Sequence, residues 1–521
     1  MSLEKLSGLT SLERTARERL YGIGLVTGLT LGVVAVHGYH PYAEDGGLYM
    51  AGVKKLLDPA MYPHGSEFVT AHLRFSVFAP LVAGLVGMLP LSVEGIMLLL
   101  HLVSVWLTLF AAWMIAERCS ESREGRSGAV GLLAAWITLP IAGTSLMLMD
   151  PYVTARSFST PLVLLALVSI LEWKGGGRWG LWLGCGALVA AAVVHPLMAA
   201  YGAGCVLMLS CMLSETRAAR VGTGLGLCGL AIAVAAVLQV CAPAESAAYV
   251  RVAMTRAYWF VWGWQWYEWM GLIAPIAILG WTIRRPSTPA QRGLAQMGVA
   301  VGGTAMIVAG MFARAGCATH LVARLQPLRV FQMVYVVMIL GLGAWAGERL
   351  LRRSVVRWSS TAVVLGAVMV AGERATFPYS GHLELPPGMQ TTLPQDQWVQ
   401  AFLWIRQHAP KDALFALDAH YITEPGEDAQ GFRAIAERSV LPDYSKDGGE
   451  AAITPTLAEA WVAGQGAQTR LEEASDEQRV RALGPLQVGW VVLRRVSTTQ
   501  FDCPYKNATV QVCRLPLQAQ P

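Results

Sequence analysis

Long apolar segments separated by short polar turns dominate the chain from residue 20 to residue 370. A helix needs about 20 mostly apolar residues to cross the hydrocarbon core of a bilayer. The pattern therefore predicts eleven membrane-spanning helices. They cover residues 20–36, 96–116, 128–149, 158–171, 179–194, 197–213, 221–240, 270–283, 293–312, 328–346 and 355–370.

One long polar segment interrupts this pattern directly after the first predicted span. Residues 37–74 contain too few charges and too many aromatic side chains for a disordered chain. Unstructured loops of this length are uncommon unless they are functional. Residues 75–89 are apolar but short and carry Pro80, so we expect them to lie at the outer face or to dip into it. Residues 37–92 are thus a predicted outer loop with interfacial helices.

The distribution of basic residues predicts the orientation of the chain. Lys and Arg concentrate in the cytoplasmic loops of membrane proteins. Eighteen of them lie in the N-terminal segment, residues 1–19, and in every second turn that follows. We therefore expect a cytoplasmic N-terminus, an extracytoplasmic loop at residues 37–92 and an extracytoplasmic C-terminal part. A bacterial inner membrane is the expected location.

The composition supports the same fold class, a polytopic α-helical membrane protein. Hydrophobic residues make up 54% of the 521 residues, charged residues make up 14%, and the mean hydropathy is +0.44. The net charge of +5 is modest, and the sequence contains no internal repeat, nucleotide-binding loop or metal-finger spacing. We expect membrane lipids as partners and no nucleic acid.

The C-terminal part of the chain, residues 373–521, has the pattern of a small water-soluble α/β domain with two layers. Cys503 and Cys513 are its only cysteines, which predicts a disulfide if this domain is exported. Residues 20–372 then form the transmembrane domain. In the C-terminal part we expect helices at 398–408, 457–464 and 469–483 and buried strands at 413–417 and 488–493.

Two acidic residues follow the first predicted span and are candidates for chemistry. Glu44 and Asp45 stand side by side and are followed by Gly46 and Gly47, which would let a ligand approach the backbone. A carboxylate at a membrane surface can serve as a general base, because partial desolvation raises its pKa. The alternative interpretation is a solvated turn before an interfacial helix.

A second acidic candidate lies in the stretch LMLMDPYVTAR, residues 146–156. Asp150 sits between the third and fourth predicted spans, and Arg156 follows six residues later. Asp150 could position a ligand or take part in catalysis. It could equally form a simple ion pair with Arg156 that caps the fourth helix.

This arrangement resembles the GT-C superfamily of integral membrane glycosyltransferases, which includes protein O-mannosyltransferases and aminoarabinose transferases. The resemblance rests on one inward span, an acidic outer loop at Glu44 and Asp45, an acidic residue at Asp150, many further spans and an outer soluble domain. It implies transfer of a sugar from a polyprenyl-phosphate carrier to a lipid, glycan or protein acceptor at the extracytoplasmic face. Asp45 or Glu44 would be the base.

The resemblance also implies cationic groups that hold the phosphate of the lipid carrier. Arginine suits a phosphate because its planar fork donates two hydrogen bonds at once. The alternative is an arginine that reaches ordinary lipid headgroups. The candidates for donor or phosphate binding on the predicted outer side are Arg329, Arg324, Arg314, Arg256, Arg251, His195 and His320.

Histidines and aromatic residues leave two further questions open. Six of the ten histidines fall on the predicted outer face, where they could ligate a divalent cation, as in several GT-C enzymes, or bond to the backbone. Residues 258–269 contain eight aromatic side chains in twelve residues. Such a stretch is typical of an interfacial belt, and it could also form a wall for a polyprenyl chain or a sugar ring.

Two other functions compete with glycosyl transfer. A multi-span transporter predicts charged or broken helices in the middle of the membrane and related half-repeats, and the sequence shows few buried charges and no repeat. A non-catalytic membrane scaffold predicts that the exported domain is required while Asp45 is dispensable.

Overall fold

The computed structural model of the chain describes residues 3–285, 287–386, 396–421 and 431–516, with side chains from residue 17 onward. Lys5 and Arg14, which support the predicted cytoplasmic N-terminus, lie outside the described side chains. The first helix, α1, covers Leu3–His37.

Within the described residues, seven helices are long and apolar enough to cross a membrane. At 1.5 Å of rise per residue, 20 residues span about 30 Å, the thickness of a bilayer core. The chain is therefore helical and has the long apolar helices of a membrane-spanning protein. The seven segments are Arg17–His37 of α1, α5 (Val93–Cys119), α7 (Ala155–Lys174), α10 (Arg217–Cys241), α13 (Pro289–Phe312), Leu321–Leu351 and α16 (Val355–Thr376).

The remaining predicted spans correspond to shorter helices. The fifth, sixth and eighth are α8 (Gly180–Val194), α9 (Pro196–Met212) and α12 (Trp266–Ile283), which have 15, 17 and 18 residues. The tenth predicted span is the long segment Leu321–Leu351 already named, in which α14 (Leu321–Leu325) precedes α15 (Phe331–Ala346) and a π-helical turn follows at Gly347–Leu351. The short helix α11 (Ala247–Met254) lies between α10 and α12.

The prediction of a continuous third span at residues 128–149 is wrong. Helix α6 (Arg123–Ala135) ends before Pro140, and the chain continues as a hairpin of β1 (Pro140–Ile141) and β2 (Leu146–Met147). Proline cannot donate the helical hydrogen bond. Gly143 in the turn has φ +67°, and a Cβ there would meet the Trp264 ring at 2.3 Å, so a glycine is required.

The first loop folds into short helices. They are α2 (Glu44–Leu57), α3 (Ser66–Thr70) and α4 (Phe78–Met88). Helix α4 is bent by 99° from the preceding segment Ser66–Phe75. Its 11 residues extend about 16 Å, roughly half of a bilayer core. The expectation that residues 75–89 lie at the outer face or dip into it stays a prediction.

Contacts between the turns show that the helices run between two ends of one bundle. At one end the Thr288 hydroxyl donates to the Cys119 carbonyl at 3.4 Å, and Arg353 pairs with Glu124 at 3.0 Å. At the other end the His40 amide donates to the Pro151 carbonyl at 2.9 Å. We call this second end, which also contacts the C-terminal region, the α/β end.

Small residues allow two helices to approach closely in the bundle. A Cβ on Gly128 of α6 would lie 2.3 Å from the carbonyl oxygen of Gly343 in α15, and a Cβ on Gly343 would lie 2.4 Å from the Gly128 carbonyl oxygen. Small residues at such crossings bring helix backbones together in membranes. This contact fixes α6 and the hairpin that follows it against the rest of the bundle.

The C-terminal α/β region consists of residues 396–421 and 431–516. Its five-stranded sheet has the order β4-β3-β5-β7-β6, and β3 is parallel to both β4 and β5 while the other pairs are antiparallel. The elements are α17 (Gln397–His408), β3 (Leu414–Ala416), α18 (Phe432–Ala436), β4 (Ser439–Val440), α19 (Lys446–Ile453), α20 (Ala458–Gln468), α21 (Asp476–Leu483), β5 (Trp490–Arg494), β6 (Tyr505–Lys506) and β7 (Val510–Arg514).

Helices cover both faces of this sheet, so the predicted two-layer arrangement is wrong. Successive residues of a strand point to opposite faces. Phe415 of β3 packs with Phe402 and Phe432 of α17 and α18. Its neighbour Leu414 packs on the other face with Leu483 of α21. The predicted disulfide between Cys503 and Cys513 is present.

A buried ionic cluster ties the bundle to the segment that leads into the C-terminal region. His40 is fully buried, with Nε2 3.0 Å from Glu373 of α16 and Nδ1 2.9 Å from Glu384. We call these three residues the His40 clasp. A neutral imidazole has only one N–H, and here both ring nitrogens face carboxylate oxygens. The clasp must therefore carry one additional proton, either on the imidazole or on a carboxylate. Burial opposes a charged imidazole, but the two glutamates outweigh it and raise the pKa of His40.

Candidate functional site

A partly open cavity of about 910 Å³ lies at the α/β end of the bundle. Its charged lining comes from α2, from the segment between β2 and α7 and the first turn of α7, from the first turn of α12, and from the start of α19. This volume is in the range of cavities that hold a sugar-sized or drug-sized ligand. The charged residues that line it are Glu44, Asp45, Asp150, Arg156, Glu268 and Lys446.

The two carboxylates of α2 face this cavity from the first turn of the helix. Their side chains are 44% and 48% exposed for Glu44 and Asp45. Glu44 begins α2 with φ +50°, which is uncommon for a residue other than glycine and is often found at functional sites. Both carboxylates contact the ammonium group of Lys446, which lies 3.3 Å from Asp45 Oδ1.

The charges around Asp45 keep it ionised. Burial within the protein opposes ionisation, but Lys446 and Arg156 outweigh this effect and lower the pKa of Asp45 below its ordinary value. Arg329 acts in the same direction. Asp45 is therefore an anion that can accept a proton or a hydrogen bond from a ligand in the cavity.

Asp150 and Arg156 form a buried ion pair in the lining of the same cavity. Asp150 is only 6% exposed, and Arg156 also donates to the Met147 carbonyl at 3.2 Å. Burial raises the pKa of Asp150, Arg156 opposes this shift, and Asp45 adds to it. The ion pair expected from the sequence is present, but the N-cap residue of α7 is Thr154 rather than Asp150. A catalytic or ligand-positioning role of Asp150 stays a prediction.

Arg329 lies beside the cavity rather than in its lining. Its Nε donates to the Gln326 side chain at 2.6 Å, and among the residues that the structure describes it forms no ion pair with a carboxylate. Its charged neighbours are Arg156 and Asp45. His195, in the turn between α8 and α9, is a neighbour of Arg329 and Arg156 and accepts from the Met198 amide at 3.4 Å.

The other cationic candidates have different surroundings. Arg256 is buried and donates to the carbonyls of the C-terminal region instead of facing the cavity. His320 is buried and held by Glu245, whose carboxylate lies 2.7 Å from its Nδ1. Arg324 lies 6.0 Å from the ring of Tyr249, whereas Arg314 and Arg251 are exposed.

The aromatic segment divides into two groups. Tyr258, Phe260, Trp262 and Trp264 line the cavity. Trp266 is 76% exposed on the outside of the bundle and begins α12. The segment therefore supplies an aromatic wall to the cavity and exposed rings of the kind found at bilayer interfaces.

One expectation about the site needs revision, and one residue of the site was not predicted from the sequence. Gly46 and Gly47 give room to the protein itself, because a Cβ on either would lie 2.6 Å from a backbone carbonyl oxygen, that of Pro41 or Tyr42. Lys446 was not among the predicted site residues. It lies 401 residues from Asp45 along the chain, and no local motif marks it.

No group of three or more His, Cys, Asp or Glu side chains that could hold a metal ion occurs among the described residues. Among the histidines of the first loop, His40 contacts two glutamates and His64 is exposed. His72 is buried, with Nδ1 3.8 Å from Glu450 and no hydrogen bond to either ring nitrogen among the described residues. Comparison with known proteins finds no protein-family model and no curated sequence that matches this chain. The cavity is therefore the feature of this protein from which a function can be inferred.

Proposed function

We propose that this protein is a membrane glycosyltransferase of the GT-C type, which moves a sugar from a polyprenyl-phosphate carrier to an acceptor at the extracytoplasmic face. The observation that carries the proposal is the cavity in which Asp45 and Glu44 face the Asp150–Arg156 pair beside an aromatic wall. Carboxylates suit proton transfer from a hydroxyl. Arginines suit a phosphate, and aromatic faces suit sugars and prenyl chains.

The charges allow a balanced reaction. The acceptor hydroxyl gives its proton to Asp45, and its oxygen bonds to the anomeric carbon of the donor. The bond between that carbon and the phosphate oxygen breaks, and the electron pair leaves with the polyprenyl phosphate. Arg156 and Arg329 are close enough to Asp45 to influence its ionisation, so both could stabilise this developing charge. Glu44 remains a second candidate for the base.

The orientation is part of the proposal. Two basic residues of the predicted cytoplasmic turns, Arg353 and Arg118, lie at the end opposite the cavity, where they pair with Glu124 and Glu172. Such residues favour the cytoplasmic side. The disulfide in the C-terminal region supports an oxidising compartment for the α/β end.

Reconstitution tests the function directly. The purified protein in lipid vesicles receives a panel of synthetic polyprenyl-phosphate sugars together with a membrane extract as a source of acceptors. Mass spectrometry measures the released polyprenyl phosphate. We expect release with at least one donor, and none from the double variant Glu44→Gln/Asp45→Asn. A folded wild-type protein that releases nothing contradicts the proposal, and transport of a free sugar without donor cleavage favours the transporter hypothesis.

A further inference from the structure

The C-terminal region contributes one charged side chain to the reaction centre. We propose that Lys446 is a positioning residue that controls how readily Asp45 accepts a proton, so that the reaction centre is complete only when the C-terminal region is docked. This inference rests on the proposed function. Its first support is geometric, because the Lys446 ammonium bridges Glu44 and Asp45 in the cavity lining.

Residues of the bundle and of the C-terminal region both hold Lys446 in this position. Arg256, from the loop before α12, donates to the carbonyls of Tyr444 and Ser445 at 2.7 and 2.8 Å. The Asp443 side chain accepts from the Lys446 amide at 2.6 Å. The bundle and the C-terminal region thus jointly fix the backbone immediately before the lysine.

A second lysine shows what a purely structural role looks like in this fold. Lys54 of α2 is 6% exposed and contacts Glu94 at 3.0 Å, Glu437 at 2.9 Å and the Ala434 carbonyl at 2.8 Å. Lys446 is 22% exposed, and both of its carboxylate partners are open to the cavity. A ligand can reach the Lys446 pair without opening the core, whereas it cannot reach Lys54.

The charge of Lys446 determines the direction of its effect. An ammonium beside a carboxylate favours the ionised form, and Lys446 contributes to the lowered pKa of Asp45 together with Arg156 and Arg329. The carboxyl groups of Asp150 and Glu450 also interact with Asp45 and are unchanged by a substitution at Lys446. Removing the charge raises that pKa, and an opposite charge at such a distance typically shifts it by about 1–3 units. Because catalysis needs ionised Asp45, the acidic limb of the pH–rate profile moves to higher pH.

The experiment measures donor cleavage as a function of pH for the wild-type protein, Lys446→Gln, Lys446→Arg and the control Lys54→Gln. The profile of kcat/KM reports the groups of the free enzyme. We expect the acidic limb of Lys446→Gln to shift upward by about 1–3 pH units and that of Lys446→Arg to stay near the wild-type position. Lys54→Gln lowers thermal stability and leaves the acidic limb unchanged.

The outcomes separate the two proposals. A wild-type protein that cleaves donor, with an unshifted acidic limb in folded Lys446→Gln, overturns the role of Lys446 and leaves the proposed function intact. An equal shift in Lys54→Gln overturns it too, because the effect would then be structural. A wild-type protein that cleaves no donor at any pH overturns the proposed function and this inference with it.

Discussion

Two centres join the helical bundle to the C-terminal part of the chain, and each places one basic side chain between two carboxylates. In the His40 clasp, His40 is fully buried, and its partners Glu373 and Glu384 are 5% and 12% exposed. In the cavity centre, Lys446 contacts Glu44 and Asp45, which are about half exposed. The same charge arrangement is therefore closed to a ligand in the clasp, as it is at Lys54 between Glu94 and Glu437, and lies in the wall of a cavity at Lys446.

The difference in burial indicates different roles. A buried ion pair is costly to desolvate, and breaking it by removing one partner leaves an uncompensated charge. Such a pair is useful where two parts of a protein must stay together, as in the clasp. An ion pair at a cavity can exchange partners with a ligand at little cost, because water or the ligand replaces the lost contact.

The largest expected effect comes from neutralising the base in the cavity. Asp45→Asn keeps the size of the side chain but cannot accept the proton of the acceptor, so we expect donor cleavage to fall by about 10²–10⁴-fold. The thermal unfolding of the variant should stay close to that of the wild-type protein. Glu44→Gln is the matched control, because it removes the other carboxylate that contacts Lys446.

A smaller loss in Glu44→Gln than in Asp45→Asn assigns the base to Asp45. The reverse order assigns it to Glu44. Wild-type rates in both single variants would remove these carboxylates from the reaction and direct attention to Asp150.

Breaking the clasp should affect folding rather than chemistry. His40→Ala removes the imidazole that contacts both Glu373 and Glu384 in a buried site, and the second oxygen of Glu373 keeps its contacts with Arg374 and His382. Removing one partner of a buried pair destabilises a protein by about 3–5 kcal/mol. We expect a loss of this order in the free energy of unfolding, measured with denaturant in detergent micelles.

The control for the clasp is His64→Ala, because His64 is exposed. Exposed substitutions usually change stability by less than about 0.5 kcal/mol. Equal stability of His40→Ala and His64→Ala would show that the clasp does not hold the two parts together.

The sequence predicts the parts of this molecule that depend on local pattern. Apolar length identifies the long helices, and spacing identifies α17, which covers Gln397–His408. The hairpin after α6 was missed, because the apolar residues around Pro140 continue the pattern of a span although the proline ends the helix. The second helical layer of the C-terminal region was also missed, since which face of a strand is covered depends on contacts distant in sequence.

The candidate site divides in the same way. The sequence alone identifies Asp45, Glu44 and Asp150 as candidate site residues, because they are acidic residues at the ends of apolar segments. The structure brings all three to one cavity. Lys446 could not be identified as a site residue from the sequence, since its place in the site depends on a contact with Asp45, which lies 401 residues away along the chain. Arg256 is conversely a reasonable phosphate candidate by position, and only the fold shows that its donors are used on the carbonyls of Tyr444 and Ser445.

A smaller effect is expected for the arginine beside the cavity. Arg329→Gln removes a guanidinium that has no carboxylate partner among the described residues. Hydrogen bonds to charged groups contribute about 1.5–3 kcal/mol, so the Kd for polyprenyl phosphate should rise about tenfold or more. Binding of polyprenyl phosphate in detergent, followed by tryptophan fluorescence, measures the change.

Arg251→Gln is the control, since Arg251 is exposed and does not line the cavity. Equal binding by the wild-type protein and Arg329→Gln would exclude Arg329 from the phosphate site. Equal weakening in both variants would indicate a general effect of positive charge on lipid binding.

The smallest expected effect is the pH dependence of the clasp. The pKa of His40 is raised in the folded protein by Glu373 and Glu384 against the opposing effect of burial. A raised pKa means that the stabilisation is complete below the ordinary histidine pKa of about 6.5 and is lost as the pH rises through the folded value.

The slope cannot exceed about 1.4 kcal/mol per pH unit for one proton. The stability difference between the wild-type protein and His40→Gln should therefore shrink from pH 6 upward. His382→Ala tests whether the neighbouring imidazole, 3.1 Å from the second oxygen of Glu373, causes the change instead. A difference that stays constant with pH would mean that the folded clasp binds no additional proton, and this result would contradict a raised pKa of His40.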